Sequence, residues 1–166
     1  MCARDFLNDD IIISYSDIYF EESALDKLLT SNSEASVLAD KNWREYWLFR
    51  YGTTEFDLES FEIGYNGKLV SLGKEVQSSQ GIEYRYVGLN KFSKVGICKT
   101  LDIYDRLKAE KATWESSGKT FENGYMTDLI NSLISSNVDV EATICNGGWF
   151  ELDTNEDYEK VVKLFV

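Results

Sequence analysis

Two carboxylates stand where a strand is expected to end. Asp17 follows Ile11-Ile12-Ile13-Ser14-Tyr15-Ser16, and Asp153 follows Trp149-Phe150-Glu151-Leu152. Ligands of open α/β sheets bind beyond the carboxyl ends of strands, so a carboxylate there is placed for chemistry. The same short polar side chain also suits a plain turn or a helix cap, and both readings stay open at this point. Together the two could share magnesium, which takes one or two protein carboxylates, several waters and phosphate oxygens of a substrate. Asp153, Asn155 and Asp157 also imitate the opening of a calcium loop. Tyr158 stands where that loop needs Gly and Leu164 where it needs Glu, which excludes it.

A second group of side chains could recognise a ligand. Trp43, Tyr46, Trp47, Phe49 and Tyr51 fall close together, interleaved with Arg44, Glu45 and Arg50. Such a segment either packs over a sheet or forms a wall, with aromatic faces for a cationic ammonium and Arg forks for phosphate or carboxylate. Lys74, in Leu72-Gly73-Lys74, is by itself an ordinary surface lysine. Gly88 interrupts a strand-like run where a side chain is expected, a sign of close approach to the backbone.

Composition removes whole classes of chemistry. The 166 residues contain no histidine, which excludes Ser-His-Asp and Cys-His catalysis and histidine-ligated zinc. A net charge of −12, spread along the chain, disfavours a phosphate-tracking nucleic-acid binder. Phosphates remain accessible to an acidic protein if a divalent cation intervenes. Cys2, Cys98 and Cys145 form no CxxC, and neither a signal-peptide core nor a membrane-length apolar run is visible. These features predict a cytoplasmic, soluble protein with no membrane or nucleic-acid partner.

The elements that must position these residues read as α/β. Met1 to Leu7 has helical composition without a capping residue, ending at Asn8. The β-branched run after Asp10 predicts a strand buried on both faces, the central-strand type. A helix from Glu21-Glu22 to about Leu29 and a strand at Ala35–Ala39 complete a βαβ unit. Phe61–Ile63 and Leu69–Leu72 flank Asn66-Gly67, the signal of a tight hairpin. Further on, the pattern predicts a strand over Glu83–Phe92, a helix capped by Ser93 running to about Lys111 with Val95, Cys98, Leu101 and Leu107 at helical spacing, and a mostly buried helix over Phe121–Ser135. Strands at Val138–Cys145 and Trp149–Leu152 follow. Thr154 and Asp157 form a capping box before a last helix that buries Tyr158, Val161, Val162 and Phe165. No linker or repeat divides the chain, which predicts one domain over residues 1–166.

Four segments in this order carry a family resemblance: Ile12 to Ile18, Tyr86-Val87-Gly88-Leu89 to Phe92-Ser93, Tyr125-Met126-Thr127-Asp128-Leu129, and Trp149 to Thr154. Together they resemble the cytidylyltransferase-like members of the nucleotidyltransferase family, over nearly the whole chain. The resemblance implies a Rossmann-like mixed sheet with flanking helices, the GT-A-like architecture. The activity it implies is magnesium-dependent transfer of a nucleotidyl group from a nucleoside triphosphate, CTP above all, to a small phosphorylated acceptor. Asp17 and Asp153 correspond to the family's two metal-holding aspartates, and Lys74 falls where many members contact the acceptor phosphate. Gly88 matches a glycine beside the acceptor, and the Tyr125–Leu129 motif puts Tyr125 and Asp128 among the substrate-binding residues. Trp43, Tyr46 and Arg50 resemble the acceptor-recognition segment of members that handle phosphocholine or aminoalkylphosphonates.

One departure is large. The family opens with a strand and a Gly-x-Gly-x-Arg loop that cradles the triphosphate, and the eleven glycines here form no Gly-x-Gly. The chain therefore resembles the acceptor-and-metal portion of such an enzyme, incomplete at its start. An exposed sheet edge and self-association are then expected. Asn155 replaces the Pro that follows the family's last motif. The alternatives are a sugar-1-phosphate nucleotidyltransferase, a metal-dependent glycosyltransferase, whose compact Asp-x-Asp is missing, and a non-catalytic remnant or binding module.

Overall fold

The computed structural model describes residues 3–165. Its strands are β1 (Ile11–Ser14), β2 (Ile18–Phe20), β3 (Ala35–Asp40), β4 (Glu59–Ile63), β5 (Leu69–Glu75), β6 (Arg85–Phe92), β7 (Val140–Cys145) and β8 (Trp149–Glu151). Its α-helices are α1 (Glu22–Leu29), α2 (Trp43–Tyr51), α3 (Lys94–Glu110), α4 (Met126–Ser135) and α5 (Asn155–Val162). A four-stranded sheet runs β1-β6-β3-β7, with β3 parallel to β7 and antiparallel to β6. Two small ribbons, β2-β8 and β4-β5, complete a mixed α/β architecture.

Both faces of the main sheet are covered. Ala35, Val37 and Ala39 point into a core shared with Phe61, Leu72, Ile97, Ile130 and Leu133, beneath α3, α4 and the β4-β5 hairpin. Leu38 points the other way, to Ala24, Leu28, Trp43, Trp47, Val87, Leu89 and Trp149. Alternation along β3 thus assigns successive side chains to opposite cores, and the strand is buried throughout.

Several expectations are corrected. The strand expected before Asp17 ends there, but it is not central: the Ile11–Phe20 run divides at Asp17. Its first half, β1, is the edge strand against β6, and its second half belongs to a different ribbon, with Asp17 between them. The two-sided burial predicted for β1 belongs to β3, while β1 alternates between half-buried and exposed residues. Because β6 lies between β1 and β3, the βαβ pair are not neighbours.

The segment after Asp40 forms α2, a short helix closed by Gly52 in the left-handed conformation. The predicted helix over Phe121–Ser135 is divided into a 3-10 turn at Phe121–Asn123 and α4. Gly124 separates them, where an added Cβ would lie 2.0 Å from Trp114 Nε1. α3 buries Gly96, Ile97, Thr100 and Ile103, leaving Val95 and Cys98 exposed. α5 buries only Asp157 and Val161, so Tyr158, Val162 and Phe165 are exposed, contrary to expectation. Arg4–Phe6 is a 3-10 turn, and the Met1-Cys2 part of the predicted N-terminal helix lies outside the described residues. Among the described residues no helix is long and apolar enough to cross a membrane.

The Asn66-Gly67 hairpin forms by a longer route than a two-residue turn. Gly64 N–H bonds to the Lys68 carbonyl at 2.8 Å, and only Gly67 of the pair takes a positive φ, +77°. This is the three-residue class with a glycine bulge.

Candidate active site

Asp17 sits in the turn from β1 to β2. The N–H of Leu152 donates to its carbonyl at 2.8 Å, and Ile18 pairs with Glu151. Strand pairing therefore brings Asp17 alongside the β8 end that carries Asp153. The Oδ1 atom of Asp17 is buried without a hydrogen-bond partner. A desolvated carboxylate oxygen is costly unless something compensates it, which makes it a candidate ligand atom. Asp153 is more open, with one oxygen, Oδ2, 2.7 Å from Arg50 Nη2. Among the described residues no group of three or more Cys, Asp or Glu side chains is arranged to hold a metal ion. The donor set fits an ion that takes two carboxylates and completes its shell with water and phosphate oxygens, as magnesium does.

Arg50 does not face a ligand. It is 3% exposed, and a buried guanidinium must be matched by anions. Nε and Nη2 bond to Asp157 at 2.8 and 3.0 Å, Nη2 also to Asp153, and Nη1 to Glu151. Burial alone would lower its pKa, but hydrogen bonds to Asp157 and Asp153 and the charge of Glu151 hold it above the ordinary value. Burial also raises the Glu151 carboxyl, against the pull of Arg50. The role resemblance gave to Arg50 is thus corrected: it anchors the carboxylates of the β8–α5 corner.

The aromatic wall is corrected in the same way. Trp43 and Trp47 are 0% exposed, and Trp47 Nε1 donates to the Phe56 carbonyl at 2.7 Å. Tyr46 packs on Trp47, Trp149 and Phe150. Its hydroxyl accepts from Glu151 N–H at 2.8 Å and donates to the Glu151 carbonyl at 3.1 Å, and burial pushes its pKa up to about 12. α2 turns Trp43 and Trp47 toward the sheet because that is where their large area can be buried, while Leu48 and Phe49 stay exposed.

The open space is a trough of two adjoining clefts. One, about 620 Å³, is lined by Glu59, Lys74, Lys119, Tyr125 and Asp128 among others. The other, about 1070 Å³, includes Tyr15, Tyr51, Arg85, Gly88, Glu151 and Asp153. Phe56, Asp57, Glu59, Tyr125 and Thr127 border both. Lys74 reaches the trough through a bulge, since Gly73 and Lys74 together oppose Ser60 between the Phe61–Leu72 and Glu59–Glu75 pairs. Gly73 has φ +79°, and a Cβ there would lie 2.5 Å from Thr127 Cβ.

Gly88 does line the larger cleft, but the space above its Cα is taken by Tyr15, 2.8 Å from where a Cβ would be. Tyr125 is 63% exposed, with Lys119 Nζ 3.3 Å from its ring centre. Asp128 is buried and structural: it accepts Tyr125 N–H at 2.9 Å, capping α4, and Ser116 Oγ–H at 2.6 Å. The structure thus brings Asp153, Gly88, Lys74, Tyr125 and Asp128 to one trough and leaves Trp43, Tyr46 and Arg50 behind it.

Sequence reasoning missed Glu59, Asp57 and Arg85. Arg85 is buried and rests on the Trp47 ring, its Nη atoms on the Asp57 carbonyl and carboxylate at 2.6 and 2.7 Å. A signal for Glu59 existed: in a strand it shares a face with Phe61 and Ile63, so a charge stands on an apolar face.

Comparison with known proteins bears on the fold and the family. No family model matches the chain. A CTP:phosphoglutamine cytidylyltransferase of Campylobacter jejuni is 32% identical over 164 residues, covering 95% of this chain and 63% of that protein. Among solved structures, the inositol-1-phosphate CTP transferase of T. maritima superposes with a TM-score of 0.59 at 15% identity, over 98% of this chain and 61% of the other. A Bacillus anthracis protein assigned as a glucose-1-phosphate thymidylyltransferase reaches 0.66 at 16% identity, over 98% and 57%. The chain spans under two thirds of the length of each. Over nearly all its own length the chain is similar to cytidylyltransferase-like nucleotidyltransferases, and it shares the fold of the solved nucleotidyltransferase structures.

Proposed function

We propose that this chain provides the acceptor and metal site of an enzyme transferring a cytidylyl group from CTP to a small phosphorylated acceptor, such as phosphocholine or an aminoalkylphosphonate, with release of pyrophosphate. The observation that carries it is the buried, unpartnered Asp17 Oδ1 beside the β8 end whose Asp153 lines the open trough, although Asp17 itself lines neither cleft. The 32% identical relative supports CTP as the donor.

Asp17 and Asp153 would hold Mg²⁺, which when bound neutralises charge developing on the phosphates. Lys74 binds the acceptor phosphate from its bulge. Tyr125 walls the trough and Asp128 fixes the start of α4 beneath it. No side chain has to act as a base, because the attacking phosphate oxygen is already an anion. Arg50 holds Asp153 in place through its Oδ2, which leaves Oδ1 as the oxygen that would serve an ion.

The Gly-x-Gly-x-Arg loop expected from the family is not found in this sequence, and the chain spans under two thirds of the length of its relatives. A sugar 1-phosphate acceptor is the second reading, favoured by the burial of Trp43 and Trp47, which removes the aromatic wall expected for choline. We place the protein in the cytoplasm, where free Cys98 and Cys145 stay reduced. The β1 edge is a surface for self-association, and sedimentation velocity tests it.

The test of the activity is pyrophosphate release with CTP, magnesium and each acceptor, by this chain joined to a triphosphate-binding segment of the family. Asp17→Asn and Asp153→Asn are expected to reduce turnover by at least about a hundredfold, as loss of a charge-stabilising group does. Unchanged turnover in either variant refutes the metal assignment.

A further inference from the structure

Glu59 stands out among the trough's side chains. It lies at the junction of the two clefts and lines both. It is half-buried, yet its carboxylate makes no hydrogen bond or ion pair among the described residues. Burial raises its pKa, and the charge of Arg85 pulls it back. Arg85 does not pair with it: both Nη atoms are taken by Asp57, and its Nε is buried without a partner. The result is a partly desolvated anion with unused acceptor capacity, facing open space.

We propose that Glu59 is the residue that selects the acceptor, and that it selects a protonated primary ammonium group over a quaternary ammonium or a sugar ring. This rests on the nucleotidyl-transfer reading above.

Three observations support it. First, the trough is lined by seven acidic side chains against Lys74, Lys119 and Arg85, so its field favours a cationic ligand end. Second, Lys74 and Glu59 border the same cleft, one cation and one anion, complementary to a ligand with phosphate at one end and ammonium at the other. Third, the aromatic cage that a quaternary ammonium needs is not presented. Trp43 and Trp47 are core residues, and the cleft rings are already engaged: Tyr51 and Phe56 pack on each other with centres 4.7 Å apart, Tyr15 packs on Tyr86, and Lys119 Nζ sits 3.3 Å from the centre of the Tyr125 ring. A primary ammonium offers N–H donors to the lone pairs that Glu59 leaves unused, whereas a trimethylammonium offers none. Glu59 is therefore a binding and specificity residue, not a participant in phosphoryl transfer.

The experiment is calorimetric titration of the full chain with magnesium at neutral pH, using phosphoethanolamine, phosphocholine, glycerol 3-phosphate and glucose 1-phosphate as probes. Phosphoethanolamine is expected to bind at least about tenfold tighter than the other three, the size of one charge-assisted hydrogen bond. Glu59→Gln should bring the four within about twofold, and Glu62→Gln, on the other face of β4, should leave the ranking unchanged. Circular dichroism and thermal melting establish that each variant is folded, and Glu59→Asp is the second variant if Gln unfolds the chain. Equal or tighter binding of phosphocholine, an unchanged ranking in folded Glu59→Gln, or no binding of phosphoethanolamine overturns the proposal. Pyrophosphate release with CTP is measured separately. With a triphosphate-binding segment of the family joined to the chain, ammonium preference without transfer refutes the nucleotidyl reading alone, and transfer without that preference refutes the role of Glu59 alone.

Discussion

The guanidinium of Arg50 meets the carboxylate of Asp153 at 2.7 Å, and the two differ sharply in environment: the arginine side chain is 2% exposed and the aspartate 48%. One end of the pair is anchored in the protein and the other is presented to the trough. The same guanidinium collects Glu151 and Asp157, so one cation sets the positions of three carboxylates.

Removing that cation should be severe. Arg50→Ala is expected to destabilise the chain by about 3–5 kcal/mol, because it leaves buried carboxylates unpaired. Arg50→Lys should recover only part of the loss, since an ammonium cannot reproduce the fork that meets Asp157 at two atoms. Urea unfolding of the three proteins measures it, and a loss below 1 kcal/mol in the alanine variant would contradict the anchoring role.

Trp47→Ala should lower stability by about 3–5 kcal/mol through the cavity it leaves. Ligand affinity of the protein that remains folded should be unchanged, because the ring lines neither cleft. A selective loss of affinity with normal stability would restore the ring to ligand recognition.

Gly73→Ala places a Cβ 2.5 Å from Thr127 Cβ at a φ of +79°. Either the bulge or the start of α4 has to move, at an expected cost of about 1–3 kcal/mol. Since the bulge directs Lys74, binding of inorganic phosphate should weaken as well. Gly52→Ala, with nothing within 4 Å of the added atom, is the control for φ alone.

Acid should act through Asp157. Its burial raises the pKa, but hydrogen bonds from Arg50 and Thr154 more than offset this and hold the carboxyl below 3.8. A depressed carboxylate contributes stability that is present above its unfolded pKa and is lost as pH falls through the folded one. The stability gap between the parent and Asp157→Asn should be full above about pH 4 and close below it. Denaturant titrations at a series of pH values test this, and a gap that widens on acidification would reverse the assigned direction.

The sequence by itself determined what local chemistry controls. Ser93 Oγ accepts Gly96 N–H to start α3, and Thr154 and Asp157 cap α5 reciprocally. Asn66-Gly67 closes the hairpin, and Asp17 and Asp153 stand just past their strands. These features depend on a few adjacent residues, so their spacing is enough to read them.

What the sequence did not determine was settled by partners far along the chain. An apolar run such as Ile11–Ile13 looks the same at an edge and at a centre, and only the insertion of β6 between β1 and β3 decides it. Trp43 and Arg50 have the composition of a binding wall, and their burial follows from the face that α2 turns to the sheet and from Asp157, 107 residues on from Arg50. Glu59 became a candidate only when folding left it between two clefts with its neighbouring cation already engaged. Burial and the choice of ion-pair partner are properties of the packed chain, and desolvation, which assigns these charged residues their roles, exists only once the packing does.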